Sequence, residues 1–209
     1  MSTASFTKEE IEIIKKLNTP SKIQDFLNSL DMNFEENGDT CMSPRMVLKG
    51  KKAHCIEGAL LATSILRFHG HKPLIMDFEA NKNDFDHVIA LFKKDGFWGA
   101  IGKTNHAVLR YREPIYKSPR ELAMSFFHEY FENKNGKKTL RKYSKPINLK
   151  IFDKYNWETS DEEIWFIPEY LTRIKHYSML NKKQIRNLRP AEEIEIKAGK
   201  LVEFDEGKC

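Results

Sequence analysis

A nearly continuous apolar pattern runs from Ala53 to Arg67. Its apolar positions cover most of the circumference of a helix, which is typical of a helix buried at the centre of a protein. Cys55 falls in or just before the first turn, and Gly70 is a stop signal shortly after the last turn. We therefore predict a buried helix that carries a cysteine at its N-terminal end.

Three short β-prone segments follow this helix, at residues 73–78, 87–92 and 97–101. Each segment is rich in apolar residues, as expected for strands that are covered by the rest of the protein. Asp95-Gly96 separates the last two segments, and this dipeptide is a strong signal for a β-hairpin. His87 opens the second segment, so the predicted hairpin carries a histidine at the end away from its turn.

The flanking segments are interpreted from amphipathic spacing, capping signals and alternation. These patterns predict helices at residues 7–18, 21–30, 43–48, 118–131 and 161–179, a strand at 147–152, and a final hairpin made of 193–196 and 201–204. Arg45 and Lys49 have two interpretations, as one wall of a groove beside Cys55 or as parts of an ordinary capping turn. We favour the capping turn.

The length of 209 residues fits one domain. We divide residues 1–209 into a helical part at 1–50, a core at 51–131 and a C-terminal part at 132–209. The formal net charge is +5, and the stretch 134–150 holds seven cations and no acid. That stretch is either a patch for nucleic acid or another acidic partner, or a solvated loop and edge strand protected by lysines. We favour the second interpretation, so a nucleic-acid partner is not expected.

Several classes of protein are disfavoured by the sequence. No apolar run reaches the roughly 20 residues of a membrane helix, and the N-terminus lacks the pattern of a secretory signal. Cys41, Cys55 and Cys209 are scattered, so they predict no disulfide framework and fit a reducing cytoplasm. No metal-ligand spacing and no glycine-rich phosphate loop is present. We expect a cytoplasmic protein that needs no membrane, metal or cofactor.

A cysteine at a helix N-terminus and a histidine on a neighbouring strand fit acyl transfer by a thiolate. The helix N-terminus lowers the pKa of the thiol and offers N–H groups to an oxyanion. A histidine can take the thiol proton and return it to the leaving group. The alternative is that Cys55 is a small buried apolar residue and His87 a satisfied strand-end histidine. We favour a cysteine–histidine site.

The central segment resembles transglutaminase-like proteins, bacterial ones in particular, within the papain-like cysteine-peptidase fold. The resemblance covers about residues 43–143 and rests on residues 53–60, 86–88, 98–103, 112–116 and 120–122. It implies an α+β fold in which a central helix packs on an antiparallel sheet, with added N-terminal and C-terminal helices. It also implies that Cys55 is the nucleophile and His87 its acid–base partner.

One position departs from the family pattern. Counted from Trp98, the acidic third residue falls at Gly102, which has no side chain. The group that orients His87 must then come from elsewhere or be missing. Asp86 is one candidate, but as the strand neighbour of His87 its side chain should point the other way.

The register of the hairpin offers a second candidate. A two-residue turn at Asp95-Gly96 would place His87 opposite Thr104, whereas a three-residue loop would place it opposite Lys103. In the second register Asn105 lies diagonally beside His87 on the same face. An asparagine can orient an imidazole, so we predict Cys55, His87 and Asn105 as the catalytic set.

Two functions of different classes follow. The first is cysteine-dependent acyl transfer or hydrolysis through a thioester, acting on a glutamine side chain or a peptide amide of a protein or peptide substrate. The second is a degenerate module on the same fold that binds a peptide or an acidic partner, which the glycine at position 102 favours. We favour the enzyme and expect Cys55 to be alkylated well below pH 8, and we expect His87→Ala to abolish this lowered pKa. The oligomeric state stays open.

Overall fold

The predicted buried helix lies at the centre of the structure as α4, Cys55–Phe68. The structure is a computed structural model that describes residues 6–204, so Cys209 lies outside the described residues. Every residue of α4 from Ile56 to Leu66 is buried. Gly70 follows the helix with a φ of +89°, the left-handed conformation that commonly ends a helix. The prediction of the central helix is confirmed.

A seven-stranded antiparallel sheet packs against α4. The strands of this sheet, in chain order, are β3 Leu74–Ala80, β4 His87–Lys94, β5 Phe97–Ile101, β6 Arg112–Tyr116, β7 Leu140–Ser144, β8 Ile147–Asn148 and β9 His176–Ser178. Their order in space is β6-β5-β4-β3-β7-β9, and β8 also pairs with β3. Two further short strands, β1 Asp31–Met32 and β2 Lys52–Ala53, pair in parallel. The chain therefore belongs to the α+β class, as predicted.

The other helices lie before and after this central unit. They are α1 Lys8–Lys16, α2 Pro20–Asn28, α3 Pro44–Gly50, α5 Pro119–Ser125, α6 Phe166–Arg173, α7 Lys182–Arg186 and α8 Glu193–Gly199. Ile14, Leu27 and Val47 contribute to one apolar cluster with the side of α4 that carries Leu61 and Ile65. Among residues 6–204, no helix has the length and apolar character required to cross a lipid bilayer.

The hairpin between β4 and β5 has the two-residue turn. Lys94 pairs with Phe97, and both turn residues have positive φ, 51° at Asp95 and 85° at Gly96. Two left-handed residues are the signature of a type I′ turn, whose twist matches that of the strands. The three-residue alternative, on which the choice of Asn105 depended, is therefore wrong.

Regular pairing of this hairpin ends at Ala90 and Ile101. The next residue, Gly102, has both of its backbone groups bonded to the side chain of Gln24, at 2.9 and 3.1 Å. The amide of Gln24, which comes from α2, therefore takes the place that a strand partner would have. This contact explains why the chain after Ile101 turns away from the sheet.

Gly58, in the second turn of α4, allows the chain after β5 to cross the helix closely. A Cβ at position 58 would lie 2.5 Å from Cβ of Lys103. Lys103 is 1% exposed, and its Nζ donates a hydrogen bond of 2.5 Å to the carbonyl of Leu30. This crossing fixes the residues after β5 against the N-terminal end of α4.

Two sequence predictions in the C-terminal part are only partly right, because tertiary partners decide the structure there. Of the strand predicted at 147–152, residues 147–148 form β8, whereas residues 149–155 form a 3₁₀ helix, since Leu149 and Phe152 both enter the core at a spacing of three. The predicted helix at 161–179 reduces to α6, because residues 176–178 pair with β7 as strand β9.

Two further predictions are wrong for local reasons. The helix predicted to reach residue 131 ends at Ser125 and is followed by a 3₁₀ turn, Phe127–Glu129. The predicted final hairpin is instead the helix α8, which starts with a capping box formed by Glu192 and Glu195. Only Val202 of the predicted second strand pairs, in a single bridge with His106.

The basic stretch at 134–150 does not form an edge strand. Its strand β7 lies between β3 and β9 inside the sheet, so that part of the interpretation is wrong. Nζ of the buried Lys138 donates to the carbonyl of His128 at 2.7 Å, and Lys142 pairs with Glu79 at 2.5 Å. At least these two cations are held by contacts within the chain.

Candidate active site

A cavity of about 600 Å³ opens at the N-terminal end of α4. Four segments enclose it: residues 32–35, the loop before β4, residues 103–109 and residues 129–133. Cys55 and His87 both line this cavity. The two residues that the sequence predicts as nucleophile and base therefore lie at one site.

Cys55 is the first residue of α4, half-buried, with a free thiol. Burial alone raises the pKa of this thiol, but interactions with the imidazole rings of His54 and His87 outweigh burial and lower it to about 6. The N-terminus of a 14-residue helix acts in the same direction. The lowered pKa favours the thiolate form of Cys55 at neutral pH.

His87 is the first residue of β4 and is 6% exposed. Its Nε2 is buried and has no hydrogen-bond partner among the described residues. A Cβ at position 102 would lie 3.5 Å from this Nε2. The position where the family pattern predicts an acid therefore faces the imidazole, and in this chain that position is a glycine.

Asn105 does not orient His87. Its side-chain amide donates to the carbonyl of Phe204 and accepts from the N–H of Phe204, both at 2.9 Å. Asn105 lines the same cavity as Cys55 and His87, but as the residue that holds the C-terminal segment. The two-residue turn explains this outcome, because the register that would have brought Asn105 beside the imidazole does not form.

Asp86 also makes no contact with His87 among the described residues. Its Oδ1 accepts a hydrogen bond of 2.8 Å from the N–H of Ala80, which directs the carboxylate towards β3. Burial and the charges of Asp77 and Glu79 raise the pKa of Asp86, against an opposing effect of the hydrogen bond from Ala80. Both candidates for the third residue are thus engaged elsewhere.

Glu57, two residues after Cys55 in α4, is a buried carboxylate that was not predicted from the sequence. Its side chain is 0% exposed and accepts four hydrogen bonds, from the side chains of Asn33 and Thr40 and from the N–H groups of Met42 and His54. Burial raises its pKa, yet His54 and the two backbone donors bring it down to about 2. Glu57 is therefore ionised inside the protein.

His54, the residue before the nucleophile, is the counter-ion of this carboxylate. Its Nε2 lies 3.0 Å from the carbonyl of Thr40 and 3.4 Å from Oε1 of both Glu57 and Glu35. Burial lowers the pKa of His54, but interactions with Cys55 and Glu57 outweigh burial and raise it to about 11. The sequence did contain a signal for this pair, since Glu57 is an acid three residues after His54 in an otherwise apolar helix.

A second cavity, of about 380 Å³, lies on the other side of the thiol and shares Cys55 and Asp86 with the first. Its wall includes the ion pair of His176 with Asp77, with Nε2 and Oδ2 2.8 Å apart. Hydrogen bonding to Asp77 raises the pKa of His176 despite its burial. Cys55 therefore lines two cavities.

Arg45 and Lys49 line neither of these two cavities. Nε of Arg45 lies 3.0 Å from Glu10, and Nζ of Lys49 lies 2.6 Å from Asp161. The side chain of Ser43 caps α3 by accepting a hydrogen bond from the N–H of Met46. The capping-turn interpretation is confirmed, and the groove-wall interpretation is wrong.

Within residues 6–204, no group of three or more histidine, cysteine, aspartate or glutamate side chains is arranged to hold a metal ion. Comparison of the sequence with models of known protein families finds no match, and comparison with curated proteins finds none either. The resemblance to transglutaminase-like proteins therefore stays a prediction, and the function has to be inferred from the geometry of the site.

Proposed function

We propose that this protein is a thiol enzyme that transfers or hydrolyses the acyl group of an amide. The observation that carries the proposal is the placement of Cys55, at the start of a buried helix, in one cavity with His87. A pKa of about 6 for the thiol adds to this support, because a structural cysteine in an apolar site has a raised pKa. Cys41 provides that contrast, since burial raises its pKa.

In the proposed reaction, the thiolate of Cys55 attacks the carbonyl carbon of the amide. The backbone N–H of Cys55, at the helix start, stabilises the oxyanion of the tetrahedral intermediate. His87 gives its proton to the departing nitrogen as the C–N bond breaks, which leaves a thioester on Cys55 and a free amine or ammonia. Water or a primary amine then attacks the thioester, loses a proton to His87 and releases the thiolate.

The order of elements supports the same proposal. A helix that begins with the cysteine is followed by a strand, by the strand that begins with the histidine, and by a hairpin partner. This is the order implied by the resemblance to the papain/transglutaminase-like core. We propose that residues 43–143 form such a core and that the substrate is a protein or peptide, with a glutamine side chain or a main-chain amide as the reacting group.

The alternative is a binding module that has kept the cleft and lost turnover. Two observations favour it, the glycine at position 102 and the unpartnered Nε2 of His87. Loss of the orienting residue of a serine triad can lower the rate by about 10⁴. We favour the enzyme, because a degenerate site has no need of a thiolate that two imidazole rings stabilise.

The test is turnover of glutamine-containing peptides, followed by the release of ammonia and by mass spectrometry of the peptide. Hydroxylamine is added as a strong acceptor, so that acyl transfer appears as a hydroxamate. We expect product with the wild-type protein and none with Cys55→Ser. His69→Gln is the matched control, because His69 lies at the other end of α4 and bonds the carbonyl of Ile14. Peptide binding without any product would support the binding module instead.

A further inference from the structure

The site lacks the group that usually stabilises a charged base beside a thiolate. In a cysteine–histidine–acid arrangement, the third residue favours the imidazolium form of the base, and the imidazolium favours the thiolate. Here Nε2 of His87 has no partner, and position 102 offers no side chain to it. A second positive group is then needed beside His87 to hold the thiolate of Cys55.

His54 lies where such a charge would act. Its Nε2 is held at 3.0 Å from the carbonyl of Thr40 and so must carry a proton. The same nitrogen lies 3.4 Å from a carboxylate oxygen of Glu57 and 3.4 Å from one of Glu35. Two carboxylates this close to one ring favour its charged form, the imidazolium.

Glu57 keeps this imidazolium charged. It is fully buried and ionised, and its Oε1 lies 3.4 Å from Nε2 of His54. Glu35, from the loop before α3, lies at the same distance on a more exposed side. His54 therefore pairs with a buried carboxylate and is the chain neighbour of Cys55, with which it lines the same cavity. Without the imidazolium, the buried carboxylate would oppose thiolate formation.

We propose that His54 is a fixed positive charge that holds Cys55 as a thiolate in place of the third residue missing at position 102. This inference rests on the proposed function only where it calls the thiolate catalytic. The two histidines then have different roles. His54 stabilises the thiolate permanently, and His87 carries the proton that passes to the departing nitrogen and is regained from the water or amine that attacks the thioester.

The test is the pH dependence of Cys55 alkylation by iodoacetamide, followed on the Cys55 peptide by mass spectrometry. It needs no substrate, so it is independent of turnover. In His54→Gln we expect the midpoint to rise and the rate at pH 6 to fall by about fivefold or more, since a rise of one unit from a pKa of about 6 lowers the thiolate fraction at that pH from about one half to about one eleventh. His69→Gln, at the far end of α4, is the matched control and should keep the wild-type midpoint.

Variants of His87 separate the effects of the two imidazole rings on the alkylation midpoint of Cys55. We expect His87→Ala to keep part of the lowered midpoint and His54→Gln/His87→Ala to return it to about 8.5. A wild-type midpoint in a folded His54→Gln protein would overturn the inference while leaving the enzyme proposal intact. A raised midpoint in His54→Gln, together with a wild-type protein that turns over no amide, would support the inference and defeat the enzyme proposal.

A measurement on the unaltered protein covers the case in which His54→Gln does not fold. Nitrogen and proton NMR of labelled histidine reports how many ring nitrogens carry a proton. We expect the ring of His54 to carry both protons throughout the neutral range, whereas the ring of a free histidine loses one near its ordinary pKa of about 6.5. A His54 ring with a single proton at neutral pH would overturn the inference.

Discussion

At the scale of single residues, the thiol of Cys55 is controlled by neighbours of two kinds. His87 was predicted from its position at the start of a strand, and the structure brings it to the same cavity. His54 and Glu57 were missed, because their importance depends on the carbonyl of Thr40 and the N–H of Met42. Those groups come from a loop whose position the sequence does not reveal.

Position 102 provides a direct test of the missing third residue. A Cβ there would lie 3.5 Å from Nε2 of His87 and 3.1 Å from the carbonyl of Leu109, so a small side chain fits after a slight shift. We expect Gly102→Asn to orient the imidazole and to raise kcat for amide turnover by about tenfold, a fraction of the ~10⁴ that the orienting residue supplies in a serine triad. Gly102→Ala adds the same Cβ without an acceptor. An equal effect of both variants would contradict this account.

The two buried charges predict how stability depends on pH. The pKa of Glu57 falls from 4.5 to about 2 on folding, so its contribution is present above pH 4.5 and is lost as the pH falls towards 2. The pKa of His54 rises from 6.5 to about 11, so its contribution is present below pH 6.5 and is lost as the pH rises towards 11. The contribution of Cys55 to stability instead increases with pH, up to about pH 8.5, the usual pKa of a free cysteine.

We therefore expect the free energy of unfolding to fall below about pH 4.5 and again above about pH 8.5. Urea denaturation across this range measures the loss of stability at low pH and at high pH. Glu57→Gln should reduce the loss at low pH, and His54→Gln should reduce the loss at high pH. If the loss of stability at high pH is unchanged in His54→Gln, His54 does not carry the charge assigned to it.

At the scale of elements, local sequence signals were sufficient to predict those helices and strands whose contacts lie within the element or with its neighbour in the chain. The central helix and the β4–β5 hairpin were predicted because a continuous apolar pattern and a pair of left-handed turn residues specify them. Strand β9 was missed because residues 176–178 extend only through their pairing with β7. The prediction of Asn105 failed because the hairpin has a two-residue turn, and because the chain leaves the sheet after Ile101, where Gln24 bonds the backbone of Gly102.

Gly58 tests the close crossing of α4 by the chain after β5. Helix propensity alone would make Gly58→Ala stabilising by about 1 kcal/mol. The added Cβ would lie 2.5 Å from Cβ of Lys103, and overpacking of this kind costs about 1–3 kcal/mol. We expect a net loss of stability in thermal or urea unfolding. Gly50→Ala, at the end of α3 with open space around its Cβ, is the control and should be neutral or stabilising.

At the scale of the whole molecule, the C-terminal segment forms part of the wall of the large cavity. Asn105 holds Phe204 with two hydrogen bonds, and Arg110 pairs with Glu203 at 2.7 Å. Lys103 lies below this segment, with Nζ 5.0 Å from the ring centre of Phe204. Segments that are distant in sequence thus enclose the site, which is why the sequence predicts the reacting pair and not the cavity around it.

Asn105→Ala separates this structural role from the catalytic role predicted from the sequence. Each lost hydrogen bond costs about 1 kcal/mol, so we expect faster hydrogen exchange and proteolysis at residues 199–204. The midpoint of Cys55 alkylation should stay unchanged, because Asn105 does not contact His87. A shifted midpoint with an unaltered C-terminal segment would restore Asn105 to the catalytic set.

The central claim is that Cys55 is a thiolate at neutral pH in an open cavity. The most direct measurement is the thiolate absorption of the wild-type protein titrated against pH, with Cys55→Ser subtracted as the reference. The account predicts a midpoint near the pKa of about 6. A midpoint near the value of about 8.5 for an ordinary cysteine would contradict it.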